Sequence, residues 1–356
     1  MQSKPSRRAM VRAFGAAAVA SAAAPFFVRA EDKAAAKALV VGDGAFRYEV
    51  IDDWAKLPDG MKFGNTHAAA EAADGRILIH HQGGAPDSVF VFDADGKFVK
   101  SWGKEWRGGA HGMQLRKEGN DEFLYLATTG QRTVLKTTLD GEVLLKLEYP
   151  KDAKNAAGQP CYANANGYSP TNIAFHPTDG SFYVADGYGS SYVHHYSAKG
   201  EYVRTFGGKG GADGQLSCPH GIWCDSREKD KPVLVVADRS NERLQYFTLD
   251  GQFVKVVKPA QANGYRHPCH FDQRGDNLLV PGLQGVVSIL GKDDQVVAYL
   301  GDNPDKAARA KNGWPKDKLV PGVFVAPHGA IWDRAGNIYV AEWLSYGRVT
   351  KLRHVG

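Results

Sequence analysis

Methionine and cysteine are scarce in this chain, at four each in 356 residues, and it holds no long apolar run fit for a membrane. So few methionines beside 41 glycines suit one large β domain better than several small ones. The four cysteines, Cys161, Cys218, Cys224 and Cys269, allow three full pairings, and their spacing names none of them. Cys218 stands two residues before His220 and Cys269 two after His267, which favours a bridge between those two, with free thiols as the alternative. The most apolar stretch, Ala13 to Val28, is too short and too rich in alanine to span a bilayer, so no membrane span is expected. The formal charge of +5 resides entirely in the first thirty residues, in Lys4, Arg7, Arg8, Arg12 and Arg29. Without them 39 basic residues face 39 acidic ones, which excludes a bulk electrostatic attraction to nucleic acid or to an anionic membrane surface.

Residues 1–30 read as an export signal. Ser6-Arg7-Arg8 precedes the mild Ala-rich region, and Val28-Arg29-Ala30 offers a small-residue cleavage site before Glu31. Paired arginines with weak hydrophobicity resemble a twin-arginine signal, with an ordinary secretory signal as the alternative. Either places the mature chain in the periplasm or outside the cell. A linker over 31–45 and a single domain over 46–356 complete the organisation.

Within that domain a unit of about forty residues recurs six times. The fourth copy shows it plainly: SCPHGIWCD, a charged insert, VLVVADRSNERLQYFTLDG and QFVKVVK, four short segments rich in Val, Ile, Tyr and Phe with turns at Asp225, Asp238 and Asp250. The others run over Thr66–Trp102, Ala110–Tyr149, Pro170–Gly207, Arg266–Gly301 and from Val325 to the end. Such units cannot bury both faces alone, so the expected fold is all-β, a six-bladed β-propeller. A two-sheet sandwich would leave the period unexplained. The last unit stops after three strands, and the orphan strand Phe46–Trp54 is expected to pair with Gly347–His354 and close the ring. The domain is expected to act as a monomer.

Counting back from the first turn of each unit brings His67, His111, Asn172, His220, His267 and His328 to one register. Five of the twelve histidines occupy it. In alternate blades the context repeats as Ala110-His111-Gly112, Pro219-His220-Gly221 and Pro327-His328-Gly329. Three neutral imidazoles on rigid strands with an open fourth position suit a catalytic zinc. His67, Asn172 and His267 form the complementary set, read as neighbours of that centre, groups facing substrate, or structural residues. His80–His81 and His194–His195 are adjacent pairs whose members face opposite sides of a strand and share no metal.

The units GSFYVADGYGSSYVHHY and VLVVADRSNERLQYF resemble NHL repeats. With the three His-Gly contexts, the chain looks like the peptidyl-α-hydroxyglycine α-amidating lyase family from about Thr66 to Leu352. That resemblance implies zinc on His111, His220 and His328, a catalytic tyrosine at Tyr188 in Asp186-Gly187-Tyr188, and an active-site arginine at Arg239. It implies cleavage of a carbinolamide C–N bond in a peptide or small-molecule substrate. Gln82 stands where the family has a second arginine, and Gly329 where it has an aspartate that helps hold a structural calcium. Gly189 replaces a family cysteine, which leaves Cys161 without the partner the family would supply. A non-catalytic propeller that binds a protein or glycan through its loops is the competing expectation. A lactonase-like enzyme fits less well, because such propellers favour carboxylate and asparagine ligands.

Overall fold

The computed structural model describes residues 38–258 and 264–356, whose regular structure is β-strand apart from four single turns of 3-10 helix. The proposed export signal lies outside these residues. No helix among them is long and apolar enough to cross a membrane. Six antiparallel sheets follow one another along the chain, five of four strands and one of five. The chain is a six-bladed β-propeller.

Strands such as Val89–Phe92 (VFVF) and Val286–Leu290 (VVSIL) are apolar almost throughout and buried on both faces. The reason is that each blade is covered by two neighbours. Six apolar clusters fill the six blade junctions. Tyr125, Val184 and Phe182 pack between blades two and three, for instance, and Ile79, Phe90 and Tyr339 between blades one and six. Tight Asp-Gly turns close three outer hairpins, with Gly96 at φ +84°, Gly141 at +92° and Gly251 at +83°, where a Cβ would be strained.

Ring closure follows the expected pairing. Tyr48–Ile51 lies antiparallel to Arg348–His354, with Tyr48 opposite His354 and Val50 opposite Leu352. Asp52 ties the seam by accepting from Arg348 at 2.6 Å and Thr350 at 3.0 Å. One strand was not anticipated. Val40–Val41, within the stretch read as linker, pairs with Tyr48–Ile51 and makes this the five-stranded blade. Leu39 and Val41 rest against Gly322, so this short edge covers apolar surface rather than crossing solvent.

Candidate metal centre

Four inner strands begin with a bulge. Ladder pairing skips between Thr66 and Ala68, Ala110 and Met113, Pro219 and Ile222, and Pro327 and Gly329. The residues skipped include His67, His111, His220 and His328, and a bulge frees a side chain to be aimed away from the ladder. All four converge. Ring centroids of His111, His220 and His328 form a triangle with edges of 4.8, 4.8 and 4.6 Å. His67 lies 4.7 Å from His111 and 4.4 Å from His328. Imidazoles bound to one tetrahedral ion at 2.0–2.1 Å would have ring centres about 5 Å apart, so the triangle has the size such a site needs. By ligand atoms, the sets lying within 4.8 Å of one another are His67–His111–His328 and His220–Cys269–His328. The centroids show that the rings converge, but His111 and His220 share no such atom set: the Tyr188 hydroxyl stands between their Nε2 atoms, and the two would have to draw together to share one ion.

The repeated His-Gly pair has a physical cause. His111 Nδ1 lies 2.8 Å from the Thr171 carbonyl, His220 Nδ1 2.8 Å from that of Cys269, and His328 Nδ1 3.0 Å from that of His67. A Cβ on the following glycine would meet that same oxygen, at 2.3 Å for Gly112, 2.6 Å for Gly221 and 2.3 Å for Gly329. Glycine lets the neighbouring blade approach, and the preceding histidine then grips the carbonyl exposed there. A carbonyl only accepts, so Nδ1 must carry the proton and Nε2 presents a lone pair. Burial reinforces this by holding the rings neutral: the His111 pKa falls to about 3, and those of His220 and His328 lie well below the usual range.

The three lone pairs outnumber the donors that meet them. Tyr188 places its hydroxyl 3.2 Å from His111 Nε2 and 3.1 Å from His220 Nε2, but has one proton to give. His67 Nδ1 lies 3.3 Å from His328 Nε2. Two donors facing three acceptors leave at least one lone pair unmet in a buried site, which favours a cation there. The donor set therefore fits a transition-metal ion of the kind histidine binds. Arg239 completes the wall. Its guanidinium reaches the Tyr188 hydroxyl at 3.4 Å and lies over that ring at 5.3 Å, while its other nitrogen is 3.2 Å from Cys218 Sγ. Tyr188 is 45% exposed although its hydroxyl reaches two imidazoles, so the tyrosine joins the histidine cluster to solvent. Burial raises the phenol pKa and the Arg239 charge opposes that rise, so the group is protonated at neutral pH.

Buried carboxylates hold the chain entering these strands. Asp238 accepts from the Ser217 amide at 2.6 Å and from Arg243 at 2.6 Å. Glu342 accepts from the amides of Val325 and Ala326, and Asp186 from those of Ser169 and Ser190. Asp238, read from sequence as a turn residue, and Asp186 thus fix the segments that lead into His220 and Thr171. Gly189 is confined too: a Cβ there would stand 2.1 Å from Asp186 Oδ1, which leaves no room for a cysteine.

Other residues fall elsewhere than the count suggested. The inner strand of blade five begins only at Asp272, and His267, at φ +52°, turns outward to pair with Glu242. By hydrogen bonding, Cys269 and Thr171 are the counterparts of His67, so the common register was off by two at His267 and by one at Asn172. Asn172 is buried and accepts from the Ile173 amide. Gln82 donates to the Gly108 carbonyl at 2.9 Å. All four cysteines are free. The expected Cys218–Cys269 bridge is absent, with Cys218 taking a hydrogen bond from Arg239 and Cys269 donating to the His267 carbonyl. Sequence reasoning missed His80, whose Nδ1 reaches the His111 carbonyl at 3.2 Å, and His270, paired with Gln114 at 2.9 Å. The adjacent-pair argument kept His80 from consideration, although it does face blade two while His81 packs on Phe63 and Phe90. The surface cleft of about 640 Å3 between Asp52–Lys62 and Tyr346–Val349 lines no such cluster.

These buried imidazoles predict acid sensitivity. Burial holds His80 and His270 at about 4 and His81 and His194 at about 3. The unfolded chain binds their protons below about pH 6.5 and the folded chain does not, so stability falls from pH 6.5 toward 4. At pH 5 each imidazole costs roughly 2 kcal/mol. Asp186 and Asp272, raised by burial to about 6 and about 7, work the other way, because folding lets them take up protons earlier. Four imidazoles outweigh two carboxyls, and calorimetry should show a lower unfolding temperature at pH 5 than at pH 7. An unchanged midpoint would mean that these histidines are not buried.

The fold and the histidine centre define a β-propeller of enzyme-like construction. In sequence, the chain is related to the peptidylglycine α-amidating monooxygenases. It is 28% identical over 293 residues to peptidyl-glycine alpha-amidating monooxygenase B of Xenopus laevis, across 78% of this chain and 30% of that protein. The rat enzyme is 27% identical over 287 residues, across 76% and 26%. The chain thus spans under a third of the length of these relatives. No protein-family model matches it. Among solved structures, a streptogramin B lyase superposes with a TM-score of 0.57 at 12% identity, covering 87% of this chain and 99% of that one. A gluconolactonase from Xanthomonas campestris gives 0.58 at 14%, covering 86% and 89%. Both attest the fold alone.

Proposed function

We propose that the protein is an exported, zinc-dependent lyase that cleaves the C–N bond of a carbinolamide. The observation that carries this reading is the set of three converging imidazoles, each held at Nδ1 by a carbonyl so that Nε2 carries the lone pair, beside Tyr188 and Arg239. The sequence likeness to the amidating monooxygenases supports it. His111, His220 and His328 would hold the ion. Bound there, zinc would supply Lewis acidity toward the substrate hydroxyl.

The reaction needs neither oxidant nor water. The hydroxyl loses its proton, its carbon–oxygen bond becomes a carbonyl as the C–N bond breaks, and the nitrogen gains a proton. The products of a hydroxyglycine substrate are an amide and glyoxylate. Tyr188 is protonated and within hydrogen-bond reach of two imidazoles, so it is suited to give its proton to the departing nitrogen and be reprotonated from the hydroxyl. Arg239 offers a planar fork for the substrate carboxylate. Gln82 in place of a second cation argues for a substrate less anionic at that side than the family's peptide. The same residue favours the competing reading, a propeller that binds without catalysis.

Metal analysis separates the two. The mature protein should carry about one zinc per chain, lost in His328→Ala with circular dichroism unchanged, and should release glyoxylate from a hydroxyglycine peptide. A chain without a transition metal would end the lyase reading. A zinc protein inert toward that peptide would keep the centre and exclude this substrate.

A further inference from the structure

His67 does more than stand beside the predicted centre. It is 3% exposed, sits in a bulge like the other three histidines, and has an Nε2 with no hydrogen-bond partner. Its Nδ1 is 3.3 Å from His328 Nε2. Two nitrogens on one tetrahedral ion with bonds of 2.0–2.1 Å are separated by about 3.3 Å, so the pair already has the spacing of two ligands. Ligand atoms of His67, His111 and His328 all fall within 4.8 Å. The Tyr188 hydroxyl lies about equally near His111 Nε2, at 3.2 Å, and His220 Nε2, at 3.1 Å.

We propose that His67 is a metal ligand, and that the four histidines form two overlapping three-imidazole seats sharing His111 and His328. One seat is completed by His220 and the other by His67. The inference rests on the metal reading above. Gln82 stands close by in the fold, opposite Asn65 on the strand that carries His67. Its amide nitrogen is committed to the Gly108 carbonyl, which leaves the amide oxygen as an acceptor for the outer His67 N–H once Nδ1 holds an ion. An arginine at position 82 would instead set a cation against that N–H and oppose metal binding by His67. The substitution that removes a substrate cation thus suits a fourth ligand.

Chelator competition with zinc, together with the visible absorption of the cobalt(II)-substituted protein, tests this. The wild-type chain should bind one ion. His67→Ala and His220→Ala should each still bind one, about tenfold or more weakly and with altered cobalt spectra, because each leaves one seat; the double variant should bind none. His67→Gln, which keeps a polar group of similar size, replaces the alanine variant if circular dichroism shows that one unfolded. A His67 variant that matches wild type in affinity and spectrum overturns the proposal, as does complete loss of the ion from His220→Ala alone. A wild-type chain that binds no ion removes the functional reading as well, whereas a failure confined to the His67 variants leaves that reading intact.

Discussion

Gly329→Ala should both destabilise the protein and weaken metal binding at the proposed centre, although alanine is the smallest change available. The added Cβ would lie 2.3 Å from the His67 carbonyl oxygen and 3.1 Å from Ala68 Cα, and both are backbone atoms with no rotamer to yield. Blades one and six must then separate, or the bulge at His328 must unfold. Overpacking of this kind costs about 3 kcal/mol, at the upper end because the obstacle is main chain. The same displacement breaks the 3.0 Å contact from His328 Nδ1 to that carbonyl, which fixes the tautomer. A ligand whose outer hydrogen bond is lost binds metal about 10- to 100-fold more weakly. Calorimetry and chelator competition should show both effects in Gly329→Ala and Gly112→Ala, and smaller ones in Gly221→Ala, where the carbonyl is 2.6 Å away. Wild-type stability with wild-type metal affinity in all three would show that the carbonyl grip does not set the centre.

That coupling also explains what could be read without coordinates. The blades were legible because burial on both faces forces apolar residues into short segments, and the turns between them demand Asp-Gly. The ring closure was legible because a three-stranded last unit and an unpaired strand at Tyr48–Ile51 need each other. His111, His220 and His328 stood out because one glycine after each repeats the same close approach. The odd blades hid their part because Thr171 and Cys269 contribute carbonyl oxygens, which leave no mark on side-chain patterns. Counting from the turn assumes a regular strand, and in blade five the approach over His267–Phe271 is irregular, with one residue at positive φ. Edge strands of two residues such as Val40–Val41 carry too little pattern to be distinguished from a linker. Tyr188 could be singled out only through family likeness, because a half-exposed tyrosine after a turn looks like any other until its hydroxyl is seen between two imidazoles.

Tyr188→Phe should abolish most of the proposed activity while leaving the centre assembled. The change removes one oxygen, which lies 3.2 Å from His111 Nε2, 3.1 Å from His220 Nε2 and 3.4 Å from Arg239. The ring stays, and with it the Arg239 guanidinium stacked at 5.3 Å, so the pocket wall keeps its shape. What is lost is the hydroxyl proposed to move a proton between substrate oxygen and nitrogen. A positioned acid–base group contributes about 10²- to 10⁴-fold, so kcat should fall within that range with KM nearly unchanged. Metal content should remain at one ion, because the lone pairs of His111 and His220 are freed rather than removed. Arg239→Ala should behave in the opposite way, raising KM most for substrates that carry a carboxylate. Loss of zinc together with activity in Tyr188→Phe would make the hydroxyl a brace for the histidines, and a kcat equal to wild type would place the proton transfer elsewhere.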